Sequence, residues 1–189
     1  MNIGEYRLYS IETSEFSLDG GAMFGIIPKV LWEKKAPSDS LNRIEMVTRS
    51  LLLVSESHKI LIDTGNGSKW TKKYIDLYNI DLSRYNIDSS LKKYGFYPED
   101  ITDVICTHLH FDHAGGNTSY DQNTVVPTFP NANYWVSEKN WKLANHPSQK
   151  DQGSFMDCDW EVLAHNNMIK IVKEQFLPGI EIHFTQGHT

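Results

Sequence analysis

Apolar and polar positions along the chain predict short strands interleaved with helices. Apolar residues alternate or form short runs in the segments that we predict as strands: residues 6–11, 46–54, 59–63, 101–106, 133–136, 169–172 and 180–184. Amphipathic or capped stretches predict helices after residue 69 to about residue 78, over 88–93, from 138 to 146 and over 160–164. This mixture indicates an α/β or α+β fold, with layered sheets covered by helices.

Capping residues define where two of these helices begin and end. Asp88 is predicted to cap the helix that runs to Lys93, and Gly95 follows at its C-terminal end. Ser137 is predicted to cap the helix that Pro147 terminates.

The segments between these elements predict turns and one longer loop. Residues 64–67, TGNG, have the composition of a turn after a strand. Residues 18–36 mix glycine, proline and apolar side chains, which predicts a loop that packs against the rest of the protein. Because the sequence has no repeat, low-complexity segment or linker, we expect a single domain over residues 1–189.

The composition is that of a globular protein and argues against several classes of partner. Of 189 residues, 40% are hydrophobic and 22% are charged, and the net charge is −6. Since no run of lysine or arginine stands out, nucleic acid is not an expected partner. No signal-peptide pattern and no apolar run of about 18 residues is present, so we predict a cytoplasmic protein without a membrane segment.

The two cysteines, Cys106 and Cys158, predict free thiols in a reducing compartment. Cys106 ends an apolar run and is interpreted as a small core residue. A role as a metal ligand is the alternative.

Residues 107–116, THLHFDHAGG, place three histidines and one aspartate within six positions. On an extended segment, His108 and His110 point to the same side and can face one cation. Asp112 and His113 follow where the next two glycines are expected to turn the chain tightly, which predicts a second site beside the first. Neutral imidazole and carboxylate suit zinc, manganese or iron. The alternative is a surface loop that is rich in histidine.

Among the other histidines, His188 is the strongest candidate for a ligand. It follows an alternating apolar strand and a glycine, so a loop at the strand end presents it as a third imidazole for the first site. Four more are interpreted as surface or packing residues: His58, His165, His183 and His146, the last with a pocket role as its alternative.

Three motifs resemble those of one family. Residues 107–116 resemble the signature of the metallo-β-lactamase superfamily, and residues 185–189, TQGHT, resemble its next motif, with Gln186 where proline is more common. Residues 60–65, ILIDTG, are similar to an early strand and turn of the family. Together the resemblance covers residues 44–189 in order. Residues 18–25, followed by Pro28 and Lys29, are similar to a subgroup of quorum-quenching lactonases that open N-acyl homoserine lactones.

The resemblance implies an αββα sandwich with two divalent metal ions at the sheet edge. The implied ligands of the first metal are His108, His110 and His188. The implied ligands of the second are Asp112 and His113. Asp63 is expected to orient ligands without binding the metal, although a turn or capping role is the alternative. Zinc is the expected metal, with manganese or iron as alternatives.

The chemistry that follows is hydrolysis of a lactone or related ester by a metal-bound hydroxide. A bound divalent metal lowers the pKa of water from ~15.7 to near 7. Asp112 has a second expected role, which is to carry a proton to the leaving alkoxide. An apolar wall for an acyl group is expected from four residues, for which a simple core role is the alternative: Met23, Phe24, Ile26 and Ile27.

The resemblance also implies further ligands beyond Thr189, namely an aspartate that bridges the two metals and a last histidine. We therefore expect a fold truncated at its C-terminal side; completion by a partner chain and a degenerate protein are the alternatives. Competing activities are hydrolysis of a thioester, a β-lactam or a phosphodiester. The non-enzymatic alternative is a metal-binding protein, and metal stoichiometry measured together with turnover distinguishes it. The sequence leaves the oligomeric state open.

Overall fold

A mixed α/β arrangement is present in the computed structural model, which describes residues 1–173, 175–185 and 187–188. The strands β1 to β11 are Asn2–Ile3, Tyr6–Asp19, Arg43–Val54, Lys59–Ile62, Asp103–Ile105, Thr118–Asp121, Thr124–Pro127, Asn133–Val136, Ile169–Ile171, Gln175–Leu177 and Ile180–Glu181. The helices α1 to α7 are Gly20–Phe24, Lys29–Trp32, Lys72–Tyr78, Ile87–Lys92, Phe111–Ala114, Glu138–Asn145 and Glu161–His165. Short 3-10 turns cover Pro98–Asp100, Gly115–Asn117, Gln152–Ser154 and Asp157–Asp159.

The main sheet has the strand order β1-β2-β3-β4-β5-β8-β9 within the described residues. Strands β1 to β4 pair antiparallel, whereas β4, β5, β8 and β9 pair parallel to one another. The carboxyl ends of parallel strands meet at one edge, where open α/β sheets place their ligand sites. The loops after β4, β5 and β8 therefore lie side by side.

The two faces of the main sheet carry different apolar clusters. One face packs under the helices through fully buried side chains such as Leu52, Leu61 and Val104. On the other face, Tyr6 and its buried neighbours contact partly buried residues of the β10–β11 hairpin and its flanks. The Tyr6 hydroxyl donates a hydrogen bond of 2.7 Å to the carbonyl of Pro178. The hairpin is thus tied to the second face of the sheet.

Several predicted elements are confirmed. Strand β8, Asn133–Val136, has the predicted bounds. The Ser137 hydroxyl accepts from the backbone N–H of Asn140 and caps α6, as predicted. Both cysteines are free, and Cys106 is buried in the main core as expected, where burial raises the pKa of its thiol.

Other elements differ from the prediction because tertiary contacts set their limits. The first strand continues to Asp19, since β2 pairs with β3 along nearly its whole length. The predicted loop over residues 18–36 contains the short helices α1 and α2. Asn86, rather than Asp88, caps α4 by accepting from the Ser89 N–H at 2.9 Å.

Two hairpins were not predicted, and some predicted strands are shorter in the structure. The β6–β7 hairpin lacks a strong apolar pattern, and β10 precedes the predicted last strand. The strand over residues 101–106 is reduced to Asp103–Ile105, and the last one, over residues 180–184, is reduced to Ile180–Glu181. No helix of the described part of the chain is both long and apolar enough to cross a membrane.

Candidate metal centre

The loop after β5 carries most of the predicted ligands. The expectation that His108 and His110 lie on an extended strand is wrong, because β5 ends at Ile105 and both residues lie in the loop that follows. Their rings nevertheless lie together, with centroids 4.6 Å apart. Asp112 and His113 are on the single turn of α5.

The two glycines after α5 serve close packing rather than a tight turn. Gly115 has φ −58, which any residue adopts. A Cβ atom there would overlap the backbone carbonyl of Asn66, and one on Gly116 would overlap that of Thr64. The loops after β4 and β5 can therefore approach backbone to backbone, which brings Asp63 next to the histidines.

A buried amide fixes the backbone between the first two histidines. Asn140 of α6 accepts the N–H of Leu109 at 2.8 Å, and both residues are buried. Because an unpaired N–H in this position would be costly, Asn140 holds the loop in place. The sequence offered no signal for this role.

Three imidazoles converge on one point. The nitrogen atoms with which His108, His110 and His188 could bind a metal all lie within 4.8 Å of one another. The Nε2 atom of His188 is 3.2 Å from Nδ1 of His110. His108 and His110 are buried, whereas His188 is exposed. The structure thus brings the three residues together from two distant parts of the sequence.

Two of these imidazoles carry an unpaired buried atom. The Nε2 atoms of His108 and His110 are buried and have no hydrogen-bond partner among the described residues. Burial, with nearby His113 and His110, lowers the pKa of His108 to about 3, and burial with His188 lowers the pKa of His110. Both rings are therefore neutral at pH 7. Neutral, unpartnered imidazole nitrogens are the donors that zinc prefers, so these residues fit a divalent ion.

Asp63 connects the loop after β4 to the other predicted pair. It has φ +58, in the left-handed region that is uncommon for residues other than glycine. Its carboxylate accepts the N–H of Thr107 at 2.8 Å and lies 2.8 Å from Nδ1 of His113. Nε2 of His113 is 3.4 Å from Asp112. Asp63 therefore both caps a loop and orients an imidazole.

The ring of His113 is closely associated with the first pair as well, since its centroid is 3.9 Å from that of His108. Burial lowers the pKa of His113, but hydrogen bonds to Asp112 and Asp63 outweigh this and raise it to about 10. Burial raises the pKa of Asp112, but the hydrogen bond and charge of His113 outweigh this and lower it. Without a metal, His113 is therefore an imidazolium that lies between the carboxyl groups of Asp112 and Asp63.

This arrangement predicts a pH dependence of stability in the metal-free protein. Since the pKa of His113 rises from about 6.5 unfolded to about 10 folded, its stabilising contribution is complete below pH 6.5 and is lost as the pH rises towards 10. The free energy of unfolding of wild type should therefore exceed that of His113→Gln by an amount that shrinks over this interval. Denaturant unfolding in a metal chelator measures the difference.

The matched control is His183→Gln, because the His183 side chain is 80% exposed. Since an exposed side chain contributes little to stability, this replacement should change the free energy of unfolding at pH 6.5 by less than His113→Gln does. A difference for His113→Gln that stays constant or grows from pH 6.5 to 10 would contradict the assignment.

The predicted apolar wall is largely on the surface. Met23, Ile26 and Ile27 are exposed, with Ile26 fully so, and the alternative that this segment is core does not hold for them. Phe24 stacks on Trp32 at 4.8 Å. No ring contact or hydrogen bond joins the segment to the histidines in the described part of the chain.

An aromatic cluster beside the metal loop was not predicted. Trp70, Tyr74 and Tyr78 are four residues apart along and just before α3, and Trp70 and Tyr78 pack on Phe111 at 5.2 and 4.9 Å. Phe111 directly precedes Asp112. Burial, Tyr74 and the charge of Asp112 raise the pKa of Tyr78. The four-residue spacing was the available signal, and it indicates an aromatic helix face next to the site.

The motif and this geometry agree with a comparison to known families. A family model described as the metallo-beta-lactamase superfamily matches residues 44–189. The chain belongs to this superfamily. The layered α/β arrangement of the described residues is that of metallo-beta-lactamase proteins.

Similar metallo-beta-lactamase proteins include lactonases. The N-acyl homoserine lactonase AiiA of Bacillus thuringiensis subsp. kurstaki is 27% identical over 149 residues, which cover 73% of this chain and 53% of the relative. The N-acyl homoserine lactonase AiiB of Agrobacterium fabrum is 26% identical, with 96% of this chain and 68% of the relative covered. The chain thus spans about half the length of the first of these curated relatives.

Among solved structures, a probable metal-dependent hydrolase from Staphylococcus aureus superposes with a TM-score of 0.82. It is 28% identical, and the match covers 94% of this chain and 62% of that one.

Proposed function

We propose that this chain carries the catalytic centre of a metal-dependent hydrolase that opens a lactone ring or a related ester, with N-acyl homoserine lactones as the substrate class. The observation that carries the proposal is the convergence of His108, His110 and His188 within a metallo-beta-lactamase motif, with potential ligand nitrogens within 4.8 Å of one another. The buried, unpartnered Nε2 atoms of His108 and His110 support it. The lactonase relatives support the choice of substrate.

In this proposal the chain supplies ligands to two zinc ions. His108, His110 and His188 bind the first ion. Asp112 and His113 bind the second, because they lie beside the first group and His113 is adjacent to His108. Manganese and iron remain alternatives for the same imidazole and carboxylate donors.

The side chains around the ligands have separate tasks. A divalent ion held by these residues would supply an activated water molecule and would polarise the scissile carbonyl. Asp63 fixes the His113 ring through its 2.8 Å hydrogen bond, and Thr107 holds Asp63 in turn. Asp112 is ionised at neutral pH, so it is suited to take a proton and pass it to the leaving alkoxide.

The partly exposed rings of the aromatic cluster, Trp70, Tyr74 and Tyr78, are the proposed contact for the acyl group of such a substrate, with the buried Phe111 beneath them. Phe111 is contiguous with Asp112, and Tyr78 and Trp70 extend the apolar surface away from it. Large aromatic side chains contribute apolar contact area together with polar tips.

A contribution of the exposed segment from Met23 to Ile27 to substrate binding stays a prediction. The single domain, the cytoplasmic location and the absence of a nucleic-acid partner also stay predictions.

The direct test is proton release from N-hexanoyl homoserine lactone by the purified, zinc-loaded protein in a pH-stat, with bound zinc measured on the same sample. Opening one lactone ring yields one carboxylic acid, which ionises and releases one proton. We expect turnover together with two zinc ions per chain. Chelation should remove both, and added zinc should restore both.

Parallel assays with an acyl thioester, a β-lactam and a phosphodiester separate the alternatives within the superfamily. Faster turnover of any of these than of the lactone would replace the proposed substrate. One weakly held ion and no turnover of any ester would instead favour a non-enzymatic metal-binding protein.

A further inference from the structure

A lysine is buried directly behind the metal loop. Lys69 follows the turn after β4, and its side chain is 4% exposed. Its ammonium group lies 3.1 Å from the carboxylate of Asp159, whose side chain is also 4% exposed. Lysine and aspartate side chains are rarely buried, and when they are buried they are usually paired, as here. The burial of two charged side chains at this place in the fold still requires a physical reason.

The ammonium group uses all three of its protons. Besides pairing with Asp159, Nζ of Lys69 donates to the backbone carbonyl of Gly115 and, at 2.8 Å, to that of Thr118. Three donors therefore meet three acceptors. Two of the acceptors are backbone atoms of the segment that directly follows Asp112 and His113.

Asp159 connects the Lys69 ammonium group to a second segment of the chain, which contacts the ring of His110. It belongs to the 3-10 turn Asp157–Asp159, and the neighbouring Phe155 packs against the ring of His110 at 4.7 Å. A second link joins the two segments, because the Thr118 hydroxyl donates to the carbonyl of Cys158 at 2.6 Å. Lys69 thus holds the turn after His113 and the segment that covers His110 in one arrangement.

Stability alone is a weak explanation for this pair. A buried ion pair can often be replaced by apolar side chains of similar volume with no loss of stability, or with a gain. The directional contacts to Gly115 and Thr118 could not be replaced in this way. They fix the backbone to which the predicted ligands are attached.

We propose that Lys69 is a positioning residue for the metal centre, with Asp159 as the counter-charge that allows its burial. The inference rests on the proposed function, since it concerns the ligands of the same centre. It assigns a role in metal binding to two buried residues, Lys69 and Asp159, that are not themselves ligands. Groups that orient metal ligands from outside typically change metal affinity by about 10-fold to 100-fold when they are mutated.

The test is the double variant Lys69→Met/Asp159→Leu, which keeps approximate volume and leaves no buried charge unpaired. Because the variant lacks the donor to the Gly115 and Thr118 carbonyls, we expect it to fold but to unfold in chelator at a somewhat lower denaturant concentration than wild type. We expect it to bind zinc about 10-fold to 100-fold more weakly in competition with a chromophoric chelator. The visible spectrum of the Co²⁺-loaded variant should also differ from wild type, which a purely structural role would not produce. The exposed pair Lys72→Met/Asp76→Leu is the matched control and should match wild type in zinc affinity and spectrum.

Each outcome decides between the two proposals. If wild type itself binds no zinc, the proposed function fails and this inference fails with it. If wild type binds zinc and the variant binds it within about threefold with the same Co²⁺ spectrum, well below the expected range, only the role of Lys69 is overturned. If the apolar pair does not fold, Lys69→Gln/Asp159→Asn is measured instead. It is held to the same criterion, because one amide cannot replace three donors.

Discussion

Replacing His110 with leucine is expected to abolish metal binding and turnover while leaving the metal-free protein at least as stable as wild type. Leucine fills a similar volume but provides no ligand atom. Loss of a direct ligand should weaken zinc binding by more than about 100-fold, beyond the usual effect of residues that only orient ligands. The stability should be kept because Nε2 of His110 is buried without a partner in the described part of the chain, and removing such an atom relieves a desolvation cost. Leucine also removes the 3.2 Å contact of Nδ1 with His188, but His188 is exposed and can bind water instead.

The two effects are measured on the same preparations, by zinc titration with lactone turnover and by denaturant unfolding in chelator. His183→Leu is the matched control, since the His183 side chain is exposed, and it should retain zinc binding and turnover. Retention of wild-type zinc affinity by His110→Leu would remove His110 from the set of ligands. A marked loss of metal-free stability would show instead that the imidazole makes a favourable structural contribution.

The second large effect is expected from Gly67→Ala, at the close approach of the two loops. Gly67 has φ +66, and a Cβ atom would overlap the backbone carbonyl group of Gly115. The left-handed backbone and the steric overlap together should reduce the free energy of unfolding by roughly 2–5 kcal/mol. Because the obstacle is backbone rather than a flexible side chain, relief of the overlap also displaces the turn after His113, so zinc affinity should fall as well.

Gly95→Ala provides the control for the backbone conformation alone. Gly95 has φ +82, but an added Cβ would meet nothing within 4 Å. Its cost should be only the roughly 1–2 kcal/mol of the left-handed conformation, with no change in zinc affinity. Equal destabilisation by the two substitutions in denaturant unfolding would contradict the importance of the loop contact.

The local sequence predicted those features of the fold that depend on local chemistry. Strand β8 and the Ser137 cap were predicted because alternation and capping are encoded within a few residues. The length of β2 could not be predicted, since its polar second half is held by pairing with β3. Asn86 caps α4 instead of Asp88 because the start of that helix is set by packing against β2.

In the candidate site, too, the local sequence predicted some residues, whereas others depend on contacts that are distant along the chain. The spacing of His108 and His110 was enough to nominate them, and His188 was nominated by its place after an alternating strand and a glycine. The structure brings the three residues together. The contributions of Asn140 and Lys69 depend on contacts with residues 31 and 46 positions away. No local pattern distinguishes such an asparagine or lysine from an exposed one, so these roles require the three-dimensional arrangement.

The distance along the chain between the three imidazoles has a consequence for folding kinetics. His188 meets His110 across 78 positions, and the hairpin that precedes it is anchored through Pro178 to Tyr6, 172 positions earlier. Contacts of such long range close late, because the entropy of loop closure must be overcome before they form. An ion shared by these rings would therefore stabilise the native state more than the folding transition state. Its main kinetic effect would be to slow unfolding, so that metal-loaded molecules persist longer without folding faster.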